Sequence, residues 1–293
     1  MRLGFVGLGS MGLPMAELLL AQGHQLFVYN RTHEKAQPLH EAGARLCATP
    51  GEAAREAEVV ISMLADDSAL QAVTFGASGI LAELQPSAIH VSCSTISVAL
   101  SDRLAAAHAE AGVGYVAAPV FGRPEAAVAK KLWLLAAGPP ADIERALPVL
   151  EALGRGVTRL GETASIANLV KLTGNVFIGS MIASLGEAFA LTRKAGVSPD
   201  LLLQLFKNVF GQGSPILENY ASQVANGNYE HAGFKAKLGL KDLRLALSAA
   251  DQLEVPLPTA SLVRDQLLSA VATGQGDFDW GVIAQMAAKR AGL

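Results

Sequence analysis

Apolar residues in the first half of the chain come in short runs, bounded by glycine, proline and small polar residues. The runs at 3–6, 25–29, 58–64, 88–92, 114–120, 132–137 and 157–160 have the length and β-branched content of buried strands. Between them, segments such as 15–20, 100–111 and 142–153 repeat their apolar residues at helical spacing. This alternation predicts a largely parallel, doubly wound sheet with helices on both faces. In such a sheet ligands bind beyond the carboxyl ends of the strands, where the turns 65–68, 94–97 and 121–124 fall.

Beyond residue 160 the period changes. Residues 164–195 are nearly apolar all round and contain no proline, which predicts one buried helix of roughly 45 Å. Lys194 and Gly196 give it a cationic last turn and a terminating glycine, and Ser198-Pro199-Asp200 opens the next helix. Helical patterns follow at 201–209, 215–224, 235–253, 258–273 and 283–290, with no strand pattern among them. The fold expected is therefore α/β, a doubly wound sheet over 1–161 followed by an all-helical domain over 162–293 built on the long helix. Lys171 and Asn175 lie one helical turn apart on that helix. A buried ammonium is costly unless paired or facing a wet cleft, so Lys171 either looks into a polar cavity or reaches out to solvent. Asn175 on the same strip favours the cavity.

Composition narrows the function. With 293 residues and 51% hydrophobic positions the chain can bury a large core, and a net charge of −3 with no basic cluster gives no nucleic-acid footprint. Cys47 and Cys93 have no paired spacing, so neither a disulfide framework nor a metal site is expected, and a reducing cytoplasm fits. The apolar start is too short and glycine-rich for a membrane segment.

Candidate chemistry begins at that start. Gly7-Leu8-Gly9-Ser10-Met11-Gly12 follows the first strand and opens a helix, and a second strand follows within about thirty residues, as a dinucleotide-binding unit requires. Gly7 allows the tight turn, Gly9 lets a pyrophosphate approach the backbone, and Gly12 lets helix pack on strand. After the second strand, where an NAD(H) site usually carries a carboxylate for the ribose, the chain has Asn30, Arg31 and Thr32. Arg31 can pair with a 2′-phosphate, which predicts NADP(H); the competing reading is an exposed arginine that merely opens the next helix. Leu64 and Ala65, at the end of the 58–64 strand, complete the expected cofactor edge.

These motifs together resemble the β-hydroxyacid dehydrogenases over essentially the whole chain. Gly7–Gly12 matches that family's N-terminal fingerprint and Ser94-Thr95-Ile96-Ser97 its substrate loop, with Ser92 and Val98 in place of the usual Asp and Pro. Lys171-Leu172-Thr173-Gly174-Asn175 matches its K-x-x-N-N motif with Gly174 for the first asparagine, and Phe234 with Lys241-Asp242 matches its C-terminal pattern. The resemblance implies that Lys171 is catalytic, that Ser94, Gly122 and Asn175 line the substrate site, and that Thr95 and Lys241 approach the nicotinamide end. It also implies a homodimer or homotetramer.

One turn departs from the family. Where D-A-P-V-S-G-G is usual, this chain has Ala117-Ala118-Pro119-Val120-Phe121-Gly122-Arg123. Phe121 removes a hydroxyl and adds bulk, while Arg123 can offer a fork of donors to a carboxylate or point to solvent. The activity expected is reversible hydride transfer between nicotinamide and a small semialdehyde or 3-hydroxy acid, with Lys171 as general acid and base and Asn175 orienting it. Alternatives are an imine or non-acid carbonyl reductase on the same fold, or a cofactor-binding protein without turnover; a 6-phosphogluconate dehydrogenase would need a longer helical domain. The histidines, including His90 and His231, show no metal spacing. Glu187 is expected to be a buried helix residue, and Trp280, after Asp277 and Asp279, to anchor the C-terminal helix.

Overall fold

The computed structural model describes all 293 residues. The chain begins β1 (Arg2–Val6), α1 (Gly12–Ala21), β2 (Gln25–Tyr29), α2 (Gln37–Glu41), β3 (Arg45–Leu46), α3 (Pro50–Arg55) and β4 (Val59–Ser62). Next come α4 (Asp67–Phe75), α5 (Ile80–Glu83), β5 (Ile89–Ser92), α6 (Val98–Glu110), β6 (Gly114–Ala117) and β7 (Val120–Phe121). Then follow α7 (Pro124–Val128), β8 (Leu132–Ala137), α8 (Pro140–Leu153) and β9 (Gly154–Gly161). All later elements are helical: α9 (Ser165–Lys194), α10 (Pro199–Val209), α11 (Pro215–Asn226), α12 (Ala236–Gln252), α13 (Pro258–Ala272) and α14 (Ile283–Arg290).

The strands form one sheet ordered β3-β2-β1-β4-β5-β6-β8-β7, with β9 paired to β8. From β3 through β6 every neighbouring pair is parallel. Every residue of β4 and β5 is buried, as strands covered by helices on both faces must be. Leu3, Phe5, Met15, Leu19 and Leu150 fill one side, and Val6, Phe27, Val60 and Ile80 part of the other.

The far edge departs from the expected pattern. The run 114–120 is not one strand: β6 ends at Ala117, and β7 pairs antiparallel with β8, Val120 opposite Leu134 and Phe121 opposite Trp133. Pro119 between them has no N–H to give a ladder, so the chain breaks there and re-aims Phe121. β8 is also antiparallel to β6, so the parallel sheet ends in a mixed edge. The two residues of β3 are too few to leave a period in the sequence.

By compactness the chain divides into Met1–Lys171 and Leu172–Leu293. The last strand ends at Gly161, yet the first turns of α9 belong to the first unit. In the second unit Trp280 is 2% exposed, its Nε1–H donates to the Tyr220 hydroxyl, and Phe234 meets its ring edge-on at 4.9 Å. α9 is long and apolar enough to cross a membrane, but its glycines pack it into this core. A Cβ on Gly186 would lie 2.4 Å from Cα of Ala284. The helix is not buried all round, however: Glu187 is exposed, correcting its expected burial, and Phe177 and Leu191 on the same helix are 71% and 73% exposed.

Candidate active site

At the carboxyl end of β1 the glycine turn is built as its spacing requires. Gly7 has φ +99° and donates its N–H to Tyr29 O at 3.0 Å, and a Cβ there would stand 2.4 Å from Met63 O. A Cβ on Gly12 would stand 1.9 Å from Gly7 O, so only glycine lets α1 start this close to β1. A Cβ on Gly9 would meet nothing, which leaves that backbone open from outside. Gly9 and Ser10 are exposed, Met11 is half-buried at the start of α1, and Leu8 is buried. A pyrophosphate fits such a turn, with the first N–H groups of α1 as donors.

Asn30 braces this turn. Its Oδ1 accepts the Leu8 N–H at 2.9 Å, and its Nδ2 donates to Thr32 O at 2.8 Å, so its amide joins the loops after β1 and β2. Arg31 and Thr32 are exposed at the end of β2.

The loops after β4 and β5 are tied to each other. Leu64 donates its N–H to Ser94 Oγ at 2.9 Å, and Ala65 beside it is exposed. Ser94 is fully buried, so its hydroxyl is first of all the link between these two loops. Asp67 adds a second link, which sequence reasoning missed: its Oδ1 accepts the Ser97 N–H at 2.9 Å and its Oδ2 accepts the Ser97 hydroxyl. Ser97 in turn caps α6 by accepting the Leu100 N–H at 3.0 Å. Thr95 lies half-buried between Ser94 and Ser97.

Lys171 closes the first unit and is 8% exposed. Its Nζ stands 4.0 Å from the centroid of the Phe121 ring. Such an approach of a cation to a π-face is favourable, more so when water is excluded. Gly122, next in β7's wake, has φ +140° and is exposed, and Arg123 is half-buried ahead of α7. One turn before Lys171, fully buried Asn168 donates from Nδ2 to Ser101 Oγ at 3.0 Å, which ties the start of α9 to α6.

In the second unit Asn175 is 4% exposed and donates from Nδ2 to Asp242 Oδ2 at 2.6 Å. Asp242 is 2% exposed, and Lys241 Nζ stands 2.9 Å from its Oδ1. The bond to the carboxylate fixes the Asn175 amide, turning its Oδ1 away from Asp242. Asp242 entered the sequence pattern only as a motif letter, and its role in holding Asn175 is visible only in three dimensions.

His90 belongs to a buried chain. Ser62 Oγ–H donates to His90 Nε2 at 2.8 Å, His90 Nδ1–H to His108 Nε2 at 3.1 Å, and His108 Nδ1–H to Leu104 O at 2.7 Å. The carbonyl at the end can only accept, which sets both tautomers for neutral rings. No group of three His, Cys, Asp or Glu side chains could hold a metal. Burial pushes the Cys93 thiol up to about 12, which leaves it a protonated core residue.

Residues 2–161 match the family model described as the NAD binding domain of 6-phosphogluconate dehydrogenase, and 166–287 that described as NAD-binding of NADP-dependent 3-hydroxyisobutyrate dehydrogenase. The chain is 42% identical over 283 residues to the uncharacterized oxidoreductase YfjR of Bacillus subtilis, covering 97% of this chain and 98% of that one. The chain belongs to the β-hydroxyacid dehydrogenase family. It is an NAD(P)-dependent oxidoreductase of the kind that acts on CH–OH groups, with a small molecule as substrate.

Glyoxylate/succinic semialdehyde reductase 1 of Arabidopsis thaliana is 32% identical over 285 residues, covering 97% of this chain and 98% of that protein. Among solved structures, a 3-hydroxyisobutyrate dehydrogenase from Salmonella typhimurium superposes with TM-score 0.86 at 28% identity, covering 97% and 99% of the two chains. A reductive aminase from Aspergillus terreus, in complex with NADPH4, cyclohexanone and allyl amine, reaches 0.62 at 27% identity over 97% and 98%.

Proposed function

We propose that the chain is an NADP(H)-dependent reductase of small semialdehyde acids and dehydrogenase of the corresponding 3-hydroxy acids, with Lys171 as the proton donor and acceptor. The observation that carries this is the placement of Lys171: a nearly buried ammonium, one turn from an asparagine whose amide is locked by Asp242. A cation held out of water gains strongly from a developing oxyanion, which is what a carbonyl oxygen becomes during reduction.

Bound nicotinamide supplies the hydride in reduction and takes it up in oxidation. Lys171 Nζ–H meets the carbonyl oxygen, stabilises its growing charge and delivers the proton; in oxidation the same nitrogen takes the hydroxyl proton. Asn175, with Oδ1 turned away from Asp242, orients Lys171 or the substrate hydroxyl. Gly7, Gly9 and Gly12 with Leu8, Ser10 and Met11 hold the pyrophosphate, Asn30 and Thr32 border the adenosine side, and Arg31 pairs with the 2′-phosphate. Leu64, Ala65 and Thr95 complete the first unit's cofactor side, and Ser94, Phe121, Gly122 and Arg123 its substrate side. Arg123 offers the guanidinium that a carboxylate needs where the family's serine has become Phe121. The exposed Phe177 and Leu191 of α9 support assembly into a homodimer or homotetramer.

The test is oxidation of NADPH and NADH, followed by absorbance, with glyoxylate, succinic semialdehyde, methylmalonate semialdehyde and tartronate semialdehyde. NADPH is expected to be preferred, and Lys171→Ala to lower kcat by about 10²- to 10⁴-fold with the cofactor still bound. Full activity in Lys171→Ala would remove the lysine from the mechanism, and a preference for NADH would remove Arg31 from the cofactor argument.

A further inference from the structure

Phe121 ends β7, whose register against β8 puts it opposite Trp133. Its ring is half-buried and packs with a cluster that includes Ile96, Leu100, Leu135 and Ala167. The next residue cannot easily shift, because Gly122 has φ +140° and a Cβ there would stand 2.6 Å from Leu132 Cδ2. The ring is therefore a fixed wall, and its centroid lies 4.0 Å from Nζ of Lys171.

We infer that Phe121 is a specificity-determining residue, selecting substrates whose flank beside the reacting carbon is hydrogen or alkyl over those that carry a hydroxyl there. The inference rests on Lys171 being the proton donor and acceptor. A substrate oxygen that meets Nζ brings its neighbouring carbon alongside the ring. The ring offers no hydrogen-bond partner, and its π-face is negative, so it favours the ammonium and apolar groups and opposes oxygen lone pairs. A hydroxyl set against it loses water without replacement. An apolar wall of this kind discriminates against an added hydroxyl by up to about 10²-fold. The substrate class is thus 3-hydroxy acids with hydrogen or methyl at C2, and their aldehydes, rather than 2,3-dihydroxy acids.

The test uses 3-hydroxypropanoate, 3-hydroxy-2-methylpropanoate and glycerate, which differ only by hydrogen, methyl or hydroxyl at C2. Each is oxidised with NADP+: C3 loses a hydride to the cofactor, its hydroxyl loses a proton to Lys171, and the aldehyde forms. The kcat/KM for glycerate is expected to lie roughly 10- to 100-fold below the other two. Phe121→Ser is expected to narrow that gap about tenfold or more, whereas Phe121→Leu, which keeps an apolar wall, retains it. Calorimetric affinities of the same acids for the NADP+-bound protein are expected to follow the same order without any turnover. Equal affinities in the wild type, an unmoved ratio in Phe121→Ser, or its loss in Phe121→Leu would each overturn the inference. Failure of the lysine assignment has a different signature: Lys171→Ala would oxidise all three acids at wild-type rates.

Discussion

Asn30 carries a load at the residue scale that its position in a loop conceals. The Leu8 N–H it accepts belongs to a residue 1% exposed, so removing the acceptor leaves a buried donor without this partner, at a cost of about 1–3 kcal/mol. The glycine turn, not the core, would absorb that cost. Asn30→Ala is therefore expected to weaken NADPH binding by roughly 5- to 100-fold. Its kcat should change little. Fluorescence titration of NADPH would check this, and unchanged affinity would show that the turn holds its shape without the brace. Of the partners of Asn30 only Thr32 is a near neighbour in sequence; Leu8 is 22 positions away, and the other braces reach further still. Asp67 reaches Ser97 across 30 positions, and Asn168 reaches Ser101, and Asn175 Asp242, each across 67. A carboxylate or amide that far from its partner leaves no period and no motif, which is why Asp67, Asn168 and the hold of Asp242 on Asn175 were not legible, while the turn at Gly7 and the shared helix of Lys171 and Asn175 were.

At the scale of elements, legibility followed length and period. The long helices were read to within a few residues because the 3.6-residue stripe repeats many times, and the central strands because apolar runs between turn residues have few other uses. The failures lie where an element is too short to repeat: β3, and β7 with its reversal after Pro119. Glu187 failed for another reason, since an apolar rod read from one chain does not say which face its own domain covers. The covered face can be tested through its glycines. A Cβ on Gly186 would press on the backbone of Ala284 at 2.4 Å, whereas one on Gly179 would meet the movable Val263 Cγ1 at 3.1 Å. Alanine gains up to about 1 kcal/mol over glycine in a helix interior, against about 1–3 kcal/mol for overpacking a core. Gly186→Ala is thus expected to lower stability by about 1–2 kcal/mol and Gly179→Ala to be close to neutral or stabilising. Urea unfolding of the pair would decide it, and equal midpoints would mean that α14 yields to α9.

For the molecule as a whole, the buried chain Ser62–His90–His108–Leu104 ties stability to pH. Both rings are fully buried, and neither can take a second proton without losing an acceptor its neighbour needs. Desolvation holds His90 well below 6.5, with the His108 charge adding to it, and brings His108 down to about 4. In the unfolded chain both titrate near the ordinary value. Above about pH 7.5 the folded and unfolded states are both essentially unprotonated at these rings, and the histidines contribute little slope. As pH falls from there toward 4, the unfolded chain binds protons that the folded chain refuses, so stability falls. For His108 alone the loss between pH 7 and pH 5 is about 2 kcal/mol, with His90 adding in the same direction. The drop should begin above the range in which carboxylates titrate. Unfolding near pH 5.5 is therefore expected to take up between one and two protons. Calorimetry in buffers of different ionisation enthalpy reads that number directly. An uptake near zero would mean that the histidine chain is charged in the folded protein, and that one of its three hydrogen bonds runs the other way.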